Sequence, residues 1–400
     1  MKGLDKKTIA IFTGNRAEYG LLYSLIDSIK NHKKLNYKLI VSGAHLEKKF
    51  GKTVDQIKKD GFKITSLVKL KNTKSSKKLF TPLIISDAIQ KVAEELNKIK
   101  PDAMIVNGDR YETFAAVIAS SQMHIPTYHL EGGDITLGGT LDDNVRHAIS
   151  KLSNIHFVTN RKSGENLINL GEEKWRIFNV GLPSNDLIKK SKLAKIYELE
   201  NYLNLKLNKF TILFTYHPVF GGLNQIKKEC KIFTKVLNKL LSNKNYNVIA
   251  TYPNNDYGSE ILINNLKNLS KKYKKNFRLF KSLGNYNFHS ILNLSSKKQI
   301  LLMGNSSSGI KESIAFKCPT LNIGSRQNGR LKPDNVINTK CNYNEIIKKI
   351  NYVFINKNFI NKCKLSKNPY YISNSGKKIA NIISKIKINT KLKLKKQNFI

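Results

Sequence analysis

Six carboxylates fall within the stretch "NGDRYETF…YHLEGGDITLGGTLDDNVRH", in a chain that has 28 Asp and Glu against 70 Lys and Arg. They are Asp109, Glu112, Glu131, Asp134, Asp142 and Asp143. Asp109 and Glu131 each follow a short apolar run, so both are expected at strand ends and in one cleft. Carboxylates that share a site titrate apart, so that one serves as acid while another serves as base. Pairing with Arg110 or Arg146 is the structural alternative for both, and acid–base chemistry is preferred. Asp142 and Asp143 open an expected helix, "NVRHAISKL". Acids there also complement the helix dipole, which leaves Asp142 balanced between the two roles on these grounds. His129 and Glu131 alternate with Leu130 and are expected on one face. A metal is therefore a rival, placed below acid–base chemistry because no HExxH spacing accompanies it.

A second group lies further along. "FTYHPVF" places His217 at the end of an expected strand, where it could donate to a phosphate oxygen. "GNSSSGIKES" puts Ser306, Ser307 and Gly309 between an apolar run and a helix start near Ser308. Backbone N–H groups and hydroxyls at such a positive helix end make a phosphate cradle, although serine caps helices without any ligand. A capping box counted from Ser308 would need an acid at Lys311, so Glu312 is left over and is assigned to ribose hydroxyls. Arginine is scarce beside lysine, and lysine cannot copy a planar fork. Arg16, in "TGNRAEYG", is therefore read as a fork for an anion or a base edge, and Arg330, in "SRQNGRLKP" with Arg326, as an anion contact or a loop anchor.

These residues need a scaffold that gathers strand ends. Short apolar runs alternate with helix-length amphipathic stretches along the whole chain, the signature of parallel sheets covered by helices. The expected strands are "TIAIFTG", "YKLIVSG", "DAMIVNGD", "IPTYHLEGGD", "IHFVTN" and "RIFNVG", then "FTILFTYHP", "YNVIATYP", "FRLFKSL", "QILLMGN", "TLNIG" and "NVINT". The expected class is α/β, with two Rossmann-like domains facing a central cleft, since ligands of open α/β sheets bind outside the carboxyl ends of the strands. "VGLPSNDLI" marks the boundary. This gives a first domain over 1–183, a nucleotide-binding domain over 184–375, a helix over 376–390 and a basic tail over 391–400.

Four hundred residues suit two cores. The N-terminal stretch reads as a first strand and not a signal peptide, and no apolar run is long enough to cross a bilayer. Cys230, Cys318, Cys341 and Cys363 lie far apart without CxxC spacing, which points to a reducing cytoplasm and no structural zinc. The net charge of +42 invites a nucleic-acid partner. The lysines, however, are spread over helix faces without interleaved aromatics, so no nucleic acid and no membrane is expected. The lysine-rich end is expected to be frayed and solvated.

With these motifs in order, the chain resembles the hydrolysing UDP-N-acetylglucosamine 2-epimerases of sialic and legionaminic acid synthesis. The likeness is carried by "TGNRAEYG", "SGAHLEKKFGKT", "NGDRYETFAA", "HLEGGDITLGGTLDDNVRHAISKL", "VGLPSND", "YHPV", "GNSSSGIKES", "IGSRQNGR" and "NPYYISNSGKKIANII". It implies the glycosyltransferase B type of fold, with the helix "GKKIANIISKI" crossing back to the first domain. It implies release of UDP with formation of a glycal, then hydration to a free manno sugar. It maps three catalytic carboxylates onto Asp109, Glu131 and Asp142, which lifts Asp142 above a capping role. Ser306, Ser307, Gly309 and Glu312 match the nucleotide loop. UDP is a substrate moiety and product, no NAD or metal is expected, and the expected assembly is a homodimer. The loop "GGDITLGGTLDD" is longer than in the sialic acid enzymes. The expected sugar is N-acetylglucosamine, with a 4-acetamido-6-deoxy sugar and a guanine base as alternatives. A glycosyltransferase of the same fold is a further alternative.

Overall fold

The computed structural model describes residues 6–47, 52–71, 79–137, 141–190, 193–219, 222–253 and 258–396. The chain divides into two compact units. The first holds Met1–Ile135, Leu141–Leu187 and Tyr370–Ile400, and the second holds Thr136–Thr140 and Ile188–Pro369.

The first unit is built on strands β1 (Lys7–Thr13), β2 (Leu35–Ser42), β3 (Ile64–Val68), β4 (Ala103–Asn107), β5 (Thr127–Leu130), β6 (Ile155–Val158) and β7 (Ile177–Asn179). They form one sheet in the order β3-β2-β1-β4-β5-β6-β7, and every pairing is parallel. Parallel strands are covered on both faces, which is why β1 and β4 read as unbroken apolar runs. Ile9 and Ile11 pack with Leu22, Leu25 and Ile26 of the Arg16–Lys30 helix on one face. Ala10 and Phe12 pack with Val92, Leu96 and Val117 on the other. Strand β3 was not foreseen. It is an edge strand whose residues alternate between buried and exposed, so it lacks the apolar run that announced its neighbours.

The Ser375–Lys385 helix returns to this unit and lays Ile379, Ala380 and Ile383 into the same cluster as Ile9 and Ile11. Gly376 permits the approach, since a Cβ there would stand 2.4 Å from the Ser24 carbonyl oxygen. The basic end is not frayed as far as it is described. The half-buried Lys395 pairs with Glu172 at 2.6 Å, and Arg176 donates to the carbonyls of Lys391, Leu392 and Leu394. Paired charges and satisfied carbonyls hold a segment whose composition alone suggested a solvated end.

The second unit carries β8 (Phe210–Thr215), β9 (Tyr246–Thr251), β10 (Phe277–Phe280), β11 (Gln299–Gly304), β12 (Thr320–Ile323) and β13 (Val336–Thr339). Their order is β10-β9-β8-β11-β12-β13, again all parallel. Strand order reverses between β1 and β4 in the first sheet and between β8 and β11 in the second. These switch points are where such sheets open a crevice for ligands. Among the described residues, no helix is long and apolar enough to cross a membrane.

Candidate active site

In the first unit, three carboxylate-bearing segments are fastened together by one histidine. His129 is fully buried at the end of β5. Its Nε2 lies 2.8 Å from the Gly108 carbonyl, to which it must donate, and its Nδ1 lies 3.0 Å from Ser150 Oγ, from which it accepts. Gly108 precedes Asp109, Ser150 sits on the Leu141–Leu152 helix that carries Asp142, and Glu131 is two residues from His129 itself. Burial pushes the His129 pKa down to about 3, so the ring is neutral and acts as scaffold. With both ring nitrogens engaged, it has none for a metal. The expectation that His129 and Glu131 share a face is corrected, because β5 stops at Leu130. Among the described residues, no cluster of three metal-binding side chains is found. Gly132 completes the joint, since a Cβ there would be 2.9 Å from both His129 Nδ1 and Ser150 Oγ.

Glu131 leaves the strand with φ of 66°, a left-handed conformation rare outside glycine. Strain of this kind, on the order of 1–3 kcal/mol, clusters at functional sites. The side chain is buried and Asn107 Nδ2 donates to its Oε2 at 3.3 Å. Asp109 is bonded to Arg146, whose side chain is 2% exposed. Arg146 also donates to Asp143 Oδ1 at 2.7 Å and to the Asp134 carbonyl at 2.9 Å. Burial lowers the guanidinium pKa, and the carboxylates of Asp109, Asp134 and Asp143 outweigh it, so the group keeps its charge. Asp143 is committed to Arg146 and lies 3.6 Å from His147. Asp142, its half-buried neighbour, stands in the same first turn of the helix. The sequence had offered Arg146 only as a pairing partner, whereas it is the cation around which this acidic cluster is built.

The Arg16 side chain lies outside the described residues, as do residues 138–140. The Arg16 backbone opens the helix after β1. Its turn rests on a residue that sequence reasoning overlooked. Glu18 accepts Gly14 N–H at 2.7 Å and Asn15 N–H at 3.3 Å, while Asn15 Oδ1 accepts Glu18 N–H at 3.2 Å. This is a capping box, and "N-R-A-E" carried its signal.

In the second unit, His217 follows β8 and is held by Asn305, which follows β11. Asn305 Oδ1 accepts His217 N–H at 2.7 Å, and its Nδ2 donates to the His217 carbonyl at 2.8 Å. Arg326 and Gln327 donate to the Asn305 carbonyl, and Arg330 Nη1 donates to Gln327 Oε1 at 2.5 Å. Arg326 thus gives a donor to the loop after β11, and Arg330 gives one within the loop that carries both. Gly304 must be glycine, because at φ of 145° a Cβ would stand 1.8 Å from the Thr215 carbonyl oxygen. Ser306 Oγ receives the Ser308 hydroxyl at 2.9 Å, and Ser307 precedes the Ser308–Lys311 helix. Gly309 lets that turn settle on Thr320, whose Cγ2 would be 3.0 Å from an added Cβ. The capping count leaves Glu312 over, but the fold gives it a neighbour: its Oε2 lies 3.5 Å from the buried His289 Nε2.

The profile of the UDP-N-acetylglucosamine 2-epimerase family matches residues 27–384. The chain belongs to this family. A relative from Campylobacter jejuni, a GDP/UDP-N,N'-diacetylbacillosamine 2-epimerase (hydrolyzing), is 37% identical over 85% of this chain and 86% of its own length. The Legionella pneumophila UDP-N,N'-diacetylbacillosamine 2-epimerase (hydrolyzing) is 34% identical over 85% and 87%. A UDP-N-acetylglucosamine 2-epimerase of Neisseria meningitidis serogroup B is 32% identical over 83% and 84%. The crystal structure of UDP-GlcNAc 2-epimerase from Neisseria meningitidis bound to UDP-GlcNAc has a TM-score of 0.80. It is 20% identical over 95% of this chain and 100% of that one, a likeness of fold. Two parallel-sheet α/β units of the glycosyltransferase B type are thus the fold of this family member, and the chain is an enzyme of the hydrolysing 2-epimerase type.

Proposed function

We propose that Asp109, Glu131 and Asp142 carry out elimination and hydration at C1 and C2 of a UDP-linked 2-acetamido sugar. The C1–O bond breaks and its electron pair leaves with UDP, while a carboxylate takes the C2 proton to give the glycal. Water then adds at C1 and a carboxylic acid returns a proton to the opposite face of C2. The free manno sugar and UDP result. A C2–H is a weak acid, so C1–O cleavage runs ahead and builds oxocarbenium charge, which carboxylates stabilise. The leaving group is assigned to His217, Arg330, Ser306, Ser307 and Gly309 for the diphosphate and to Glu312 for the ribose, and Arg16 is assigned to nucleotide binding. Each step moves protons and a leaving group without net oxidation, so the reading calls for neither nicotinamide nor metal.

The observation that carries the proposal is the joint made by His129, which ties the ends of β4 and β5, where Asp109 and Glu131 stand, to the helix that carries Asp142. The test is turnover in D2O. Deuterium at C2 of a free manno product is expected, and a gluco product with protium there would end the reading.

N-acetylglucosamine is the first sugar proposed. A second reading, N,N'-diacetylbacillosamine on the way to legionaminic acid, is supported by the names of the relatives at 37% and 34% identity. Incubation with both UDP-sugars and with the GDP-linked form, followed by NMR, separates them. A cytoplasmic setting is supported by four unpaired cysteines. A homodimer is proposed on the family resemblance and is checked by light scattering.

A further inference from the structure

The Leu141–Leu152 helix carries Asp142, Asp143 and Arg146 near its start, and the tail of the chain grips its other end. Lys395 Nζ donates to the carbonyls of Ser150 at 3.0 Å, Lys151 at 2.9 Å and Ser153 at 2.8 Å. These lie in or just beyond the last turn, where a helix leaves carbonyls without internal partners and a cation suits the dipole. The same ammonium pairs with Glu172 Oε2 at 2.6 Å, and its side chain is 11% exposed. The tail is seated by Arg176, which is fully buried and donates to the carbonyls of Lys391 at 3.0 Å, Leu392 at 2.9 Å and Leu394 at 2.9 Å. The family profile stops at residue 384, so this grip lies beyond the matched segment.

We propose that the C-terminal tail is a positioning clasp for the catalytic helix, with Lys395 fixing one end of Leu141–Leu152 and thereby the placement of Asp142 and Arg146 at the other. The proposal rests on the catalytic reading of Asp142. A twelve-residue helix is a rod about 18 Å long, so a shift at one end is carried to the other. Misplacement of a reacting group by about 1 Å can cost on the order of a hundredfold in rate.

Lysine is suited to the task because its ammonium has three N–H donors, and the neutral amine has two. Burial pushes the Lys395 pKa down to about 8, against the pull of Glu172 and with help from the charges of Lys151 and Arg176. Glu172 also faces His156 at 3.0 Å and Lys151 at 3.4 Å. Burial keeps His156 below its ordinary pKa, so it stays neutral through this range. As pH rises through about 8, Lys395 therefore loses a donor and its attraction to Glu172, and the clasp loosens.

A matched control exists in the same unit. Lys7 Nζ donates to the carbonyls of Ile383 at 3.1 Å and Ser384 at 3.0 Å, and to that of Ile386, at the end of the Ser375–Lys385 helix. No residue on that helix is assigned chemistry. The experiment compares full-length wild type, Lys395→Met and Lys7→Met by steady-state kinetics from pH 6 to 9.5, thermal melts and hydrogen exchange of the 141–152 peptide. Lys395→Met is expected to lower kcat roughly three- to tenfold, with KM changed less than about twofold. It should speed exchange in 141–152 and remove the fall in kcat above pH 8. Lys7→Met should lower Tm and leave kcat, its pH profile and that peptide unchanged. Equal kcat and equal exchange in the two variants would overturn the clasp. If Lys395→Met does not fold, Lys395→Arg carries the test: its alkaline limb should move above that of wild type, and an unmoved limb refutes the proposal. Full activity in Asp142→Asn would instead remove the catalytic reading, and the exchange result would still report whether the tail holds the helix.

Discussion

Replacement of Glu18 by glutamine should make the first unit more stable in mild alkali. The Glu18 carboxyl is buried, close to Glu112, and accepts from Gly14 N–H, Asn15 N–H and the Thr113 hydroxyl. Burial, followed by the charge of Glu112, pushes its pKa up from 4.5 to about 8. The folded chain thus keeps a proton that the unfolded chain releases. Below pH 4.5 both forms hold it and nothing is lost. Between 4.5 and 8 the folded form loses stability steadily, and above 8 the loss levels off. At 1.36 kcal/mol per pKa unit, the full loss is about 5 kcal/mol, and about 3 kcal/mol has accrued by pH 7. Glutamine stays neutral. Its Oε1 can accept the two backbone N–H groups and its Nε2 can donate to Thr113 Oγ1, so the turn is preserved. Urea unfolding at pH 5, 6.5 and 8 checks this, followed through the single tryptophan, Trp175, which lies in the first unit. The stability difference between variant and wild type should widen in favour of the variant by about 3–4 kcal/mol from pH 5 to 8. Other titrating groups are common to both proteins and cancel in the difference. A constant difference across that range would show that Glu18 does not hold its proton.

Asp109→Asn and Glu131→Gln should each lower kcat by at least about a hundredfold while UDP binding, measured by calorimetry, survives, because the amides keep the size of the side chains. Glu312→Gln should raise KM and leave kcat nearly intact, since a ribose contact does not change during the reaction; a fall in kcat at unchanged KM would contradict the assignment. Gly376→Ala places a methyl 2.4 Å from the Ser24 carbonyl oxygen, so it should destabilise the first unit by roughly 1–3 kcal/mol, read as a lower Tm.

The strands that carry the site were legible because burial on both faces removes polar alternation. "DAMIVNGD" and "IPTYHLEGGD" announced the ends at which Asp109 and Glu131 stand. Strand β3 was hidden by the opposite circumstance, one exposed face at the edge of the sheet. Arg146 was visible as a rare arginine, but its partners come from three segments that only the fold brings together. The same holds for His289 and Glu312, which meet at 3.5 Å from separate helical segments. His129 was misread because period-two alternation was extended one residue too far, across the left-handed turn at Glu131. Glu18 carried a readable capping signal. Its burial beside Glu112 depends on the Tyr111–Gln122 helix, which follows some ninety positions later.

The return of the chain to the first unit at Tyr370 has a consequence for synthesis. Ile379, Ala380 and Ile383 belong to the same apolar cluster as Ile9 and Ile11, so that core cannot close until residue 383 has left the ribosome. Residues 188–369, which precede the last stretch of the first unit, have all their strands in hand sooner. The nascent first unit must wait with one flank of its sheet uncovered while the second is being made. A chain stopped before the Ser375–Lys385 helix would expose that flank and invite chaperones or proteolysis, so the unit that is begun first is completed last.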